Sequence, residues 1–432
     1  MHLLVRLVLR IASLALKFAL TIIVARTLGF TAVADYGLAL AISVVSSKVL
    51  GLGFSTEINR RLSSANPAEA LRDARGLLFL YGIVYAVIAV VVMIAYHSAV
   101  FDILGRLSLG VLWGVMLVAF SEHAGLETVS YVFSLHRQRA GAFLLFVRTG
   151  AWAAVAIIGL LSGVVHSIET IFALWYGTNL FAVFAACWCL SRRSREVGLA
   201  ARGEARGRAG SFRSVWIEGL PFFFAAIVLS GLQYGERFLA SYVLSAETLG
   251  RYVFAWSISN SIQTIAYATI VVTAGPRLVR ALCAGGGDYR DILRRSLLSS
   301  FFITLLCAAA ILIVQKPIFR IAHEAAGSHE FSILVILLVS FILRSIADVL
   351  WVSAVALRLG KPVAVAMLCV ASVILPIEWM LIDRLGEVGA ALAHLSASLG
   401  VGAILAFIVA RAGAIKSTPT EKRGAIHAAE IR

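Results

Sequence analysis

About twelve runs of roughly twenty apolar residues, parted by short polar loops, make up most of this chain. A bilayer core about 30 Å thick takes a helix of about 20 apolar residues, whereas a soluble domain has no interior large enough to hide so many. Sixty per cent of the 432 residues are apolar and only 14% are charged, and the mean hydropathy is strongly positive. The solvent is therefore lipid. There, backbone groups must be satisfied within each segment, so an all-α integral membrane protein is the expected fold class. The formal charge of +15 would suit a nucleic-acid partner. The basic residues, however, lie in short loops between apolar runs, the pattern that sets membrane orientation, and no nucleic-acid partner is expected.

A second feature divides the chain. Residues 25–43 (ARTLGFTAVADYGLALAIS) and 241–259 (SYVLSAETLGRYVFAWSIS) align at an offset of 216, half the length. Leu28, Tyr36, Ala39, Ile42 and Ser43 fall on Leu244, Tyr252, Ala255, Ile258 and Ser259. Each copy reads as an apolar helix, a short polar turn and a second helix starting beside a Tyr. A match between halves of a hydrophobic chain points to a duplicated transporter fold.

Taken in order, six helices fill residues 1–190, from about 5–25 for the first to about 168–190 for the sixth. Residues 191–214 carry seven arginines among Gly and Ala and read as a solvated linker. Six more helices occupy 215–410, and a polar tail closes the chain at 411–432. With the N-terminus inside, the inner connections and tail hold 25 Lys and Arg against 7 in the outer connections. That bias places both termini in the cytoplasm and calls for an even number of crossings. The run from Leu3 to Val24 is too long and too interrupted by charge for a signal-peptide core, so it is expected to remain as the first helix.

Charges inside the apolar runs carry the chemistry. An ionised group at the bilayer centre costs about 2.5–3.5 kcal/mol on insertion scales, so it should face the bundle interior or a wet cavity. Lys17, Lys48, Glu122, Arg344 and Asp348 lie near mid-membrane, with Arg148 and Glu127 nearer the inner face. Arg10, Ser13, Lys17 and Thr21 form one polar stripe on the first helix. Neither Lys17 nor Lys48 has a carboxylate three or four residues away, and at the 216 offset they fall on Gln233 and Thr264. Two readings stay open: a cationic cavity between halves for a phosphate or pyrophosphate, or pairing with Glu122 or Asp348 from other helices. Arg344 and Asp348 are spaced to neutralise each other. Glu122, Arg344 and Asp348 therefore serve either ion coupling or internal pairing. The polar row on helix eight, with Asn260 and Gln263, is either cavity lining or helix–helix glue.

Other chemistries lack their signatures. His123 and Glu127 are i, i+4, but a metal site needs further ligands, and none is expected. Cys187, Cys189, Cys283, Cys307 and Cys369 show no C-x-x-C spacing. Gly285-Gly286-Gly287 has no following Lys-Ser/Thr and opens no strand–helix unit, so it is no phosphate cradle. No cofactor is expected, and no outer loop exceeds about 20 residues, which argues against an enzyme that places its catalytic groups on a large loop.

Several short motifs resemble one family. They are Leu28-Gly29…Ala34-Asp35-Tyr36-Gly37 after helix one, Gly219-Leu220-Pro221 opening helix seven, Glu236-Arg237 near its end, and Leu249-Gly250-Arg251-Tyr252 after it. Over roughly 1–410 the chain resembles the polysaccharide transporters, or Wzx-type O-antigen flippases, of the multidrug/oligosaccharidyl-lipid/polysaccharide exporter superfamily. The resemblance implies about twelve transmembrane helices in two pseudo-symmetric six-helix lobes, a MATE-like fold. It implies a bacterial inner-membrane protein that flips an undecaprenyl-pyrophosphate-linked oligosaccharide outward by alternating access for surface polysaccharide synthesis. A polysaccharide polymerase and a chain-length regulator are the partners it suggests. Lys17, Lys48, Arg10, Arg148, Asn260 and Gln263 are the residues expected at the substrate. The competing readings are a drug/cation antiporter of the same superfamily and, from another class, a polytopic sugar polymerase or glycosyltransferase.

Overall fold

The computed structural model describes residues 2–51, 58–59, 61–63, 68–98, 107–200, 212–284, 287–323 and 327–416. Residues 201–211 of the expected linker and the tail after 416 lie outside the described residues. Six helices come first: α1 (His2–Leu28), α2 (Phe30–Leu50), α3 (Ala68–His97), α4 (Leu109–Ser134), α5 (Gln138–Leu161) and α6 (Ile168–Ala200). Then follow α7 (Phe212–Val243), α8 (Ala246–Ala266, continuing to Cys283), α9 (Tyr289–Ile321) and α10 (Ser328–Ala356). The last helical run, Gly360–Lys416, bends at Gly386 (φ 60°, ψ −129°) into α11 (360–385) and α12 (387–416). Among the described residues this gives twelve helices, the number the apolar runs call for.

The surface confirms lipid as the solvent. On α3, Phe79, Ile83, Val87, Val90, Val91 and Ile94 are all exposed at helical spacing. A greasy face of this kind is stable only against acyl chains. Serine side chains close the helix starts: Ser108, Ser167 and Ser245 accept from the backbone N–H of Val111, Thr170 and Thr248, satisfying donors a bilayer would leave orphaned.

Two boundaries differ from expectation. The turn after α1 is a single residue, Gly29, at φ 85°, a backbone conformation that favours glycine, so α2 begins at Phe30 and not near Tyr36. The sixth helix runs on through the first ten residues of the expected linker to Ala200, because Arg, Glu and Ala there are adequate helix formers.

The described helices form two compact units, Met1–Ser257 with Lys316–Gly327, and Ile258–Gln315 with Ser328–Arg432. Inside the first unit, the two repeated stretches pack on each other. A Cβ at Gly250 would stand 1.8 Å from the Phe30 carbonyl oxygen, and one at Gly37 would stand 2.3 Å from a Val253 methyl. Phe30 meets Phe254 edge-on at 5.8 Å between centroids, and Phe254 meets Phe319 likewise at 5.7 Å. Arg237 secures the contact. It is fully buried, donates to the Gly37 carbonyl at 3.0 Å and lies 3.5 Å from the Trp256 ring centroid. Its neighbour Glu236 accepts from the Tyr252 hydroxyl at 3.2 Å. The Glu236-Arg237 and G-x-Y signals thus have one physical cause: both serve the contact between the two corners.

In the second unit, serines and one histidine tie neighbouring helices together. Ser340 on α10 bonds His394 Nδ1 at 2.7 Å and donates to Ser398 at 2.9 Å, both on α12. Ser300 of α9 donates to the Ser345 carbonyl of α10 at 3.3 Å. Tyr289 and Ser353 share a hydrogen bond of 2.5 Å.

Gly250→Ala should destabilise the purified protein by about 1–3 kcal/mol, the ordinary cost of overpacking. Gly231→Ala, with open space around it, should be neutral or slightly stabilising, since Ala suits a helix better. Thermal unfolding in detergent checks both, and equal melting temperatures would dissolve the close-approach argument.

Candidate functional site

One helix, α4, carries two carboxylates that face the first unit's polar interior, Glu127 buried and Glu122 half-buried. Glu122 and Glu127 are five residues apart, which turns the helix by about 140° and advances it by about 7.5 Å. They therefore meet different neighbours: Glu122 faces α1, α5 and α6, and Glu127 faces α2 and α3.

Glu122 is fully engaged. Its Oε2 accepts from Arg148 Nη1, and its Oε1 accepts from the Trp175 indole N–H at 2.6 Å. Asn179 adds a further hydrogen bond and also donates to Ser121 at 3.3 Å. Arg148 reaches the carboxylate because α5 opens into a π turn at Val147–Ala151, a local widening that re-aims a side chain. Its stem crosses Gly125 of α4, where a Cβ would stand 2.7 Å from Arg148 Cδ.

Lys17 approaches this pair from α1. Its ammonium lies 5.9 and 5.8 Å from the ring centroids of Trp152 and Trp175. Those rings stack at 4.5 Å and 6°, and Tyr36 leans on both. Ring faces attract a cation by about 0.5–2 kcal/mol. Lys17 also lies within electrostatic reach of Glu122 and Arg148. Two cations thus address one carboxylate whose oxygens are both occupied, and one positive charge is left over. Arg10 sits half-buried on α1, two turns before Lys17.

Lys48 has the other carboxylate. It lies exposed in the last turn of α2, and Glu127 is the charge it feels most closely. Glu127 and His123 are both buried, with His123 Nε2 at 3.9 Å from Glu127 Oε1. Tyr81 and Tyr85 of α3 flank the imidazole, at 4.5 and 5.8 Å between ring centroids. Among the described residues, Lys17, Arg148 and Lys48 set three positive charges against the two carboxylates of α4.

The remaining expected residues belong to the second unit. Gln263 donates to Asp348 Oδ2 at 2.7 Å, and Asp348 lies in the field of Arg344, which is itself buried. Asn260 is half-buried, one turn before Gln263 on α8. Among the described residues no group of three or more His, Cys, Asp or Glu is placed to hold a metal ion.

No protein-family model matches the sequence, and no curated relative matches it. Solved structures do. An inward-facing multidrug resistance MATE family transporter of the MOP superfamily superposes with a TM-score of 0.63 at 14% identity, over 96% of this chain and 99% of its own. The lipid II flippase MurJ, in an inward closed conformation, gives 0.64 at 12% identity, over 96% of this chain and 90% of its own. An outward-facing MATE family transporter gives 0.65 at 12% identity, over 96% of each. The chain has the MATE-like fold.

Sequence reasoning singled out Glu122 and both lysines but missed what surrounds them. Trp152, Trp175 and Tyr36 read as ordinary apolar positions, since nothing in their spacing marks a cage. The Glu122–Arg148 pair spans two helices 26 residues apart, so no local pattern could announce it.

Removing one partner of a buried ion pair strands the other, at a cost of about 3–5 kcal/mol. Arg148→Met should therefore destabilise the protein by about that much. The double variant Arg148→Met/Glu122→Gln should be less damaged than the sum of the two single changes. A double-mutant cycle by denaturant unfolding checks this, and strictly additive losses would remove the pair from the account.

Proposed function

We propose that this chain is a bacterial inner-membrane flippase that moves an undecaprenyl-pyrophosphate-linked oligosaccharide from the inner to the outer leaflet by alternating access. The observation that carries the reading is the surplus positive charge beside α4, on a fold also found in a lipid II flippase. A pyrophosphate is the chemistry such a surplus suits, since charge-assisted hydrogen bonds to phosphate oxygens are about twice as strong as neutral ones. Lys17 and Lys48, with Arg10 on the same stripe as Lys17, are the groups assigned to it. Arg148 acts indirectly, by holding Glu122.

The charge count of the loops supports cytoplasmic termini, which puts the corner after α1 and the corner after α7 on the outer side. On this reading the contact between Phe30, Gly37, Gly250 and Val253 lies on the outer side, and outward release of the sugar would require it to part. A polysaccharide polymerase and a chain-length regulator would act on the delivered unit. The fold equally serves multidrug transporters. A cationic drug would, however, meet net positive charge beside Glu122, where both carboxylate oxygens are already taken.

Lys17→Ala and Lys48→Ala should each lower surface polysaccharide by about tenfold or more, from losing a hydrogen bond to a charged group worth about 1.5–3 kcal/mol. Membrane insertion should be unchanged. Surface polysaccharide at the parental level in both variants would sink the pyrophosphate assignment.

A further inference from the structure

The histidine on α4 has no place in the function described so far. His123 is fully buried, and among the described residues neither ring nitrogen has a hydrogen-bond partner. A buried polar group in that condition costs free energy in either protonation state, so the site is built for something more than packing. What faces it is specific. From its own helix comes Glu127, 3.9 Å from Nε2, with Tyr131 beyond, which Glu127 also touches. From α3 come Tyr81 and Tyr85. From α2 comes the C-terminal end: a Cβ at Gly51 would lie 3.7 Å from His123 Nε2. The Tyr81 hydroxyl donates to the Gly51 carbonyl at 3.4 Å. Lys48 is one turn before Gly51 and also addresses Glu127. Farther off on α4, Glu122 is already committed to Arg148.

We infer that His123 and Glu127 form a proton-binding site in which the His123 imidazolium and the Lys48 ammonium compete for one carboxylate. The proton adds to the imidazole lone pair that faces Glu127, and no other bond changes. Closing the 3.9 Å gap to a charge-assisted hydrogen bond of about 2.8 Å takes a movement of about 1 Å. Lys48 is itself exposed at the end of α2. While the ammonium faces Glu127, the carboxylate is already balanced, and a second positive charge on His123 is disfavoured. When an anion draws the ammonium away, the Glu127 carboxylate loses that countercharge and favours the proton on His123 instead. Anion binding and proton uptake are then two readings of one equilibrium, as linkage requires. The consequence for transport rests on the flippase reading; the proton site itself does not.

The test needs no substrate. In lipid bilayers, the full-length protein labelled with ¹⁵N in its histidines gives imidazole signals whose positions report protonation, and His123→Gln identifies the one of interest. Lys48→Met reproduces removal of the ammonium. It should raise the proton affinity of His123 by about tenfold or more, that is, shift its midpoint upward by about one pH unit, whereas Lys48→Arg should leave the midpoint near the parental value. Glu127→Gln should move it the opposite way by a similar amount. A midpoint indifferent to Lys48→Met, or an imidazole that never titrates between pH 5 and 9 in any variant, would overturn the inference. Failure of polysaccharide export would not touch it, and a shifted midpoint would not by itself establish flipping.

Discussion

A charge inside a bilayer must meet an opposite charge or water, and the helix α4 is where this chain meets that requirement. Its two carboxylates are spaced so that one turns toward α1 and α5 and the other toward α2. Glu122 fixes Arg148 and, through the indole of Trp175, also fixes one ring of the stack over which Lys17 lies. Glu127 answers Lys48 and the otherwise unpartnered His123. These contacts link α4 to α1, α2, α5 and α6. Replacing such pairs by apolar groups of equal size is often neutral or stabilising, so stability alone does not explain their presence.

Much of the architecture was readable before any coordinates. The bilayer restricts the backbone to helices, so the number of apolar runs became the number of helices. The breaks at Gly29 and Gly386 fall where turns were expected, but that each is so short was not legible, because backbone dihedrals leave little mark on an apolar alphabet. The internal repeat proved to have physical content: the aligned stretches touch each other, through Phe30, Gly37, Gly250 and Val253. Glycine is required at Gly37 and Gly250 by close approach, and Arg237 ties the two corners with a bond to a backbone carbonyl.

The site was only half readable. Lys17 and Lys48 stood out because lipid makes an isolated cation costly, and that argument needs no structure. Their surroundings did not, since Trp152 and Trp175 arrive from other helices, and the reach of Arg148 depends on a π turn that no local spacing foretells. His123 was noticed only as a weak metal ligand. Its burial without a hydrogen bond is a property of packing and was invisible in the chain.

On the proposed flippase reading, the surplus cations beside α4 would hold an anionic headgroup while a lipid tail stays in the bilayer. The most direct measurement is the side of the inner membrane on which lipid-linked oligosaccharide collects in a strain lacking this protein. The account predicts complete units accumulating on the cytoplasmic face, with surface polysaccharide lost. Single units accumulating on the outer face would place the defect after translocation and contradict it.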